Sequence, residues 1–176
     1  MKLLVIGNKE RTEKYMPDIP LTREIEIVVA QRGASNAELL TLAPDADFIM
    51  ADAIAPVDAE LIENMPNLKL IHSEGVGFNF FDCEAARAHG VDVCNNRGVT
   101  AVAVAEQTIL LMLGLCKHVR LGDAAVRFGK QIDVKESLMV QGIDEIYGST
   151  IGLVGFGDIA REVAKRAHAF GATVLY

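Results

Sequence analysis

Short apolar runs alternate with helix-like stretches along most of this chain, and that alternation limits its fold more than any other feature. Residues 3–6 (LLVI) read as a first strand. Residues 24–30 alternate with period two, which puts Ile25, Ile27 and Val29 on one face of a second strand. Ser35 is placed to cap a helix that runs to Leu42, with Glu38 at the capping-box position. Residues 48–51 (FIMA) read as a third strand and residues 56–63 as a helix opened by Pro56. Residues 68–73 form a fourth strand, residues 82–89 a short helix closed by Gly90, and residues 91–94 a fifth strand. Strands alternating with helices predict an α/β fold with a mostly parallel, doubly wound sheet. Residues 1–100 are therefore expected to make one small domain.

Composition narrows the options further. Trp is absent and aromatic residues make up 6% of the chain, so the core must be largely aliphatic, which suits a sheet covered by helices on both faces. The formal net charge is −7 and no basic run stands out, so nucleic acid is not an expected partner. The longest apolar stretch, residues 108–116, is far too short for a membrane span. The N-terminus MKLLVIGNKE lacks the apolar region and cleavage site of a secretory signal, so a cytoplasmic location with no membrane partner is expected. Cys83, Cys94 and Cys116 have neither paired nor metal-ligand spacing, which predicts reduced thiols and no metal site.

After residue 100 the pattern changes. A long helix is expected over residues 101–119, and its middle, Ile109-Leu110-Leu111-Met112-Leu113, is apolar nearly all round. Such a helix is expected to be buried on several sides. Residues 120–147 read as helix followed by loop. A strand is then expected over residues 150–154, a turn at Gly155-Phe156-Gly157, a helix over residues 158–170 capped by Gly171, and a strand from Thr173.

The segment Gly155-Phe156-Gly157-Asp158-Ile159-Ala160 fits G-x-G-x-x-G/A. Between a strand and a helix, this pattern has a mechanism. The first glycine permits the turn, and the second lets the backbone approach a pyrophosphate. A small third residue lets helix and strand pack, and the amides at the helix start favour the anion. The charge of Asp158, in the first turn of that helix, is expected to compete with phosphate. A plain βα turn, with glycine supplying only backbone freedom, is the alternative.

Two further stretches carry a family resemblance. Residues 73–82 (SEGVGFNFFD) and 91–108 (VDVCNNRGVTAVAVAEQT), followed by the glycine turn, resemble the D-2-hydroxyacid dehydrogenases. The resemblance implies a flavodoxin-like, parallel-sheet substrate domain over residues 1–100. Residues 101–176 would then hold a connecting helix and the first βαβ unit of a Rossmann domain that binds NAD or NADP. It also implies that backbone amides at Val76 and Gly77, reached through Gly75, hold the carboxylate of a small 2-hydroxy or 2-oxo acid. Gly155, Gly157, Asp158 and Ile159 would meet the cofactor's pyrophosphate, and Thr108 would lie against its nicotinamide end. The chain departs from the family pattern at Asn79-Phe80, where Asp-Asn is usual, and at Arg97, where proline is common.

The family's catalytic arginine, carboxylate and histidine follow the glycine turn, and the acidic residue that reads the adenosine ribose lies about 20 residues beyond it. Tyr176 precedes all of these, so no catalytic residue is assigned. The chain is expected to be a shortened member of the family without turnover of its own. Residues 101–176 are expected either to form a homodimer that covers their apolar surface or to be poorly ordered. A non-catalytic nucleotide-binding or assembly module is the alternative.

Overall fold

The computed structural model describes residues 1–176. The chain divides into two compact units, Met1–Arg97 and Gly98–Tyr176.

The first unit is built on five parallel strands: β1 (Lys2–Gly7), β2 (Glu26–Gln31), β3 (Phe48–Ala51), β4 (Leu70–Ser73) and β5 (Asp92–Cys94). Their order is β2-β1-β3-β4-β5, the flavodoxin-like arrangement, so the expected α/β architecture holds. Register sets which residues share a face. Leu4 lies beside Ile49 and Ile49 beside Ile71, and all three are fully buried. Three helices cover that face: α3 (Asn36–Leu42), α4 (Ala59–Glu63) and α5 (Cys83–Ala88). They contribute Leu39, Leu61, Ile62 and Ala86 to one continuous core. Burying each Leu or Ile side chain there stabilises the fold by roughly 1.5–3 kcal/mol.

Helix starts follow local chemistry. The Ser35 hydroxyl accepts from the Glu38 amide while the Glu38 carboxylate accepts from the Ser35 amide, a reciprocal capping box. Pro56, however, does not open α4. Val57 pairs instead with Phe81 in an isolated bridge, and the helix starts two residues later, capped by Asp58. Two helices were not anticipated, α1 (Lys9–Tyr15) and α2 (Pro20–Glu24). The Asn8 side chain caps the first by accepting from the Arg11 amide at 2.8 Å, and Pro20 opens the second.

The second unit holds α6 (Ala101–Cys116), α7 (Val119–Arg127) and α8 (Gln131–Gln141), then the βαβ unit β6 (Thr150–Gly152), α9 (Asp158–Ala169) and β7 (Thr173–Leu175). The strands β6 and β7 are parallel. The long helix ends earlier than expected because His118 turns left-handed, with φ 49°, and α7 leaves at 61°. Nor is α6 buried all round. Ala105 and Ile109 pack on Val163 of α9, whereas Leu110, Leu111 and Leu115 are exposed. No single helix is long and apolar enough to cross a membrane.

Candidate functional site

In the first unit the chemistry gathers at the carboxyl ends of the strands. Strand β4 ends at Ser73, which is fully buried. Its hydroxyl donates to the Gly77 carbonyl at 2.6 Å and accepts from the Gly75 amide at 3.3 Å, so one side chain pins both ends of the Gly75-Val76-Gly77 loop. The segment after β5 completes the support. The Asn96 amide donates to the Gly75 carbonyl at 2.9 Å, and its side chain donates to the Glu74 carbonyl, also at 2.9 Å. The Asn95 side chain donates to the Val76 carbonyl at 2.7 Å.

The carbonyls of Glu74, Gly75, Val76 and Gly77 are thus all engaged from the protein side, while the amides of Val76 and Gly77 donate to no acceptor in the chain. Such a loop offers an anion two donors already held in place. Gly75 is needed for packing: a Cβ there would lie 3.1 Å from that of Ala53. The resemblance had pointed to the glycines; the roles of Ser73, Asn95 and Asn96 were missed. The Asn-Asn pair directly after a strand was the signal that could have shown them.

Beside this loop a cleft of about 510 Å³ opens over Met50 and His72, walled by α1. At its mouth Arg11 pairs with Glu74 and, at 3.5 Å, with Asp52, which also takes Arg32 at 3.1 Å. A Cβ on Gly7 would touch the ends of Arg11 and Glu74 at ordinary contact distance, so Gly7 lies directly against this group. Arg11 follows β1 and Asp52 follows β3, the neighbours at which the strand order reverses. Open α/β sheets bind ligands at this point. The cluster was not anticipated from the sequence.

In the second unit Gly155, Gly157, Asp158 and Ile159 fall on one turn between β6 and α9. Gly155 has φ 88°, a conformation open to glycine at little cost. Gly157 is the N-cap of α9, and a Cβ built on it would meet nothing within 4 Å. The protein itself therefore does not need a glycine there, whereas a ligand approaching the backbone would. The first intrahelical bond runs from the Arg161 amide to the Gly157 carbonyl, leaving the Ile159 and Ala160 amides ahead of it. Asp158 is the first residue of the helix, with its charge in the first turn. The glycine turn and the leading amides suit a pyrophosphate, which the charge of Asp158 opposes. Thr108 lies on α6, and its hydroxyl donates to the Val104 carbonyl of the same helix at 2.8 Å. The structure thus groups Gly75 to Gly77 in one loop and Gly155 to Ile159 in one turn, with Thr108 on a separate helix.

The four histidines show no acid–base pairing. The rings of His89 and His168 meet backbone carbonyls of Ala85 and Ala172, His118 sits at the α6–α7 break, and His72 lines the cleft. No three His, Cys, Asp or Glu side chains are arranged to hold a metal ion.

Comparison with known proteins gives a consistent result. The chain is 34% identical to a hydroxypyruvate reductase of Thermotoga maritima, over 96% of this chain and 51% of that protein. Its fold superposes on a 2-hydroxyacid dehydrogenase from Ketogulonicigenium vulgare with a TM-score of 0.77 at 25% identity, covering 98% of this chain and 52% of that one. An NAD-dependent formate dehydrogenase from Staphylococcus aureus, solved in complex with NAD, gives a TM-score of 0.76 at 27% identity, covering 99% and 55%. The chain spans about half the length of the curated relatives it matches. The family profile described as the D-isomer specific 2-hydroxyacid dehydrogenase catalytic domain matches residues 4–174. With nearly every residue inside that match, the chain belongs to the D-isomer-specific 2-hydroxyacid dehydrogenase family.

Proposed function

We propose that the chain binds a small 2-hydroxy or 2-oxo acid on residues 1–100 and NAD or NADP on residues 101–176, as the ligand-binding portion of an oxidoreductase acting on the CH–OH group of D-2-hydroxy acids. The observation that carries this reading is the pair of unengaged amides at Val76 and Gly77, in a loop whose carbonyls are all occupied. A carboxylate bound there receives two charge-assisted hydrogen bonds, stronger than neutral ones. The turn from Gly155 to Ile159 would hold the pyrophosphate, Gly157 by letting it approach and Ile159 by donating its amide, with Thr108 toward the nicotinamide end. A nicotinamide bound there would provide the hydride chemistry. None of the four histidines meets a carboxylate that could orient it as a general base, so these residues alone are read as binding without turnover.

Titrating glyoxylate into the ¹⁵N-labelled chain tests the reading. The Val76 and Gly77 amide resonances are expected to move saturably. In Ser73→Ala, which unpins the loop, the same shift should need on the order of tenfold more ligand. Shifts confined to other residues would contradict it.

A second reading, an assembly module that forms a homodimer through residues 101–176, draws on a different observation. Leu110, Leu111, Leu115 and Val119 are exposed along a largely apolar groove of about 690 Å³ on α6 and α7. Exposed apolar area of this kind marks interaction surfaces. Sedimentation of the chain is expected to give a dimer, and Leu115→Glu a monomer. A wild-type monomer at the concentrations used for NMR would count against it.

A further inference from the structure

The mouth of the cleft in the first unit bears on which acid is bound. This step rests on the carboxylate reading of the Gly75 to Gly77 loop. Glu74 immediately precedes that loop, and Ala53, against which Gly75 packs, immediately follows Asp52. Asp52 and Glu74 line the same cleft as Gly75, so an acid held by its carboxylate at Val76 and Gly77 whose far end enters this cleft meets both carboxylates.

The charges at the mouth are layered. The carboxylates are the inner groups, with side chains 17% and 20% exposed, and the guanidinium of Arg11 is 46% exposed. Arg11 is the only cation lining the cleft, and both carboxylates claim it. Arg32 pairs with Asp52 and does not line this cleft. The Asn96 side-chain amide is spent on the Glu74 carbonyl. A phosphate arriving here would meet two carboxylates, with Arg11 already committed to both; the remaining polar side chains lining the cleft besides Asn96 and Thr12 are the neutral donors of Tyr15 and His72. A hydroxyl would meet acceptors, because Glu74 binds Arg11 through Oε2 and leaves Oε1 without a hydrogen bond.

We propose that Asp52 and Glu74 set the specificity of the site for the far end of the acid: a neutral, hydrogen-bond-donating group such as a hydroxymethyl is accepted, and a phosphate is rejected. Like charges brought together across a binding surface discriminate strongly against the wrong partner. Asp52 and Glu74 act here as specificity residues, with no part in hydride transfer.

D-glycerate and 3-phospho-D-glycerate differ only by the phosphate and so make the test. With the Val76 and Gly77 amides as the readout, the wild-type chain is expected to bind D-glycerate at least about tenfold more tightly than the phosphorylated acid. In Asp52→Asn/Glu74→Gln, which releases Arg11, the ratio should fall to near one or invert. Asp52→Asn alone, which keeps the Arg11–Glu74 pair, should give an intermediate ratio. Equal affinities in the wild type overturn the proposal, as does a preference that survives the double substitution. If neither acid moves these amides although glyoxylate does, the proposed distal-group specificity fails while the carboxylate reading stands. If no acid moves them, the carboxylate reading itself fails and the specificity with it.

Discussion

Gly157→Val is expected to leave the chain folded and to weaken NADH binding by on the order of a hundredfold or more, equivalent to about 2.7 kcal/mol. The backbone of Gly157 has φ −80° and ψ −165°, an extended conformation that valine adopts readily, and the added side chain would start in open space. The structural cost is confined to a poorer N-cap, about 1 kcal/mol. A bound pyrophosphate close to that backbone would meet the new methyl groups directly. The same substitution at Gly155 fails differently. At φ 88° a β-branched residue is strained, so Gly155→Val should destabilise the turn itself by about 1–2 kcal/mol. Thermal unfolding and fluorescence titration of both variants separate the two effects. Unchanged NADH affinity in Gly157→Val would remove the pyrophosphate from this turn.

Ile71→Ala is expected to have the largest effect on stability. Ile71 is fully buried in β4, with Ile49 beside it on one neighbouring strand and Val93 on the other. Truncation leaves a cavity that flanking strands, fixed by their own ladders, cannot collapse to fill. Losses of 2–5 kcal/mol are usual for such changes, and the upper half of that range, about 3–5 kcal/mol, is expected here. Domains are commonly stable by only about 5–15 kcal/mol, so the first unit should unfold at much lower urea. Leu42→Ala, at the exposed end of α3, is the matched control and should shift stability by no more than about 0.5 kcal/mol. Similar midpoints for the two variants would contradict the assigned core.

How much could be read from the sequence follows from the range of each interaction. The strand Phe48–Ala51 and the Ser35–Glu38 capping box depend on neighbours within a few residues, and both emerge as expected. Pro56 misled because Val57 is committed to a pairing with Phe81, far along the chain, which periodicity cannot register. The helix was drawn on to Val119 because apolar residues occur on both sides of the left-handed His118, at Leu115 and Cys116 before it and at Val119 and Leu121 after it. The same division applies to the site. Gly155 to Gly157 form a local pattern between a strand and a helix, and Gly75 to Gly77 are picked out only by the family resemblance. Arg11 and Glu74 meet across 63 residues, and only the order β1-β3-β4 brings their strand ends together. Ser73, a plain strand-end serine in the sequence, acquires its role only once the loop folds back over it.

On the proposed reading, Val76 and Gly77 offer their amides to a substrate carboxylate. A crystal structure of the chain soaked with oxamate, a 2-oxo acid analogue, tests it most directly. Carboxylate oxygens are expected within about 3.2 Å of both backbone nitrogens, with the Ser73, Asn95 and Asn96 hydrogen bonds unchanged. Oxamate bound elsewhere in the first unit, or these two amides turned inward onto protein acceptors, would contradict it.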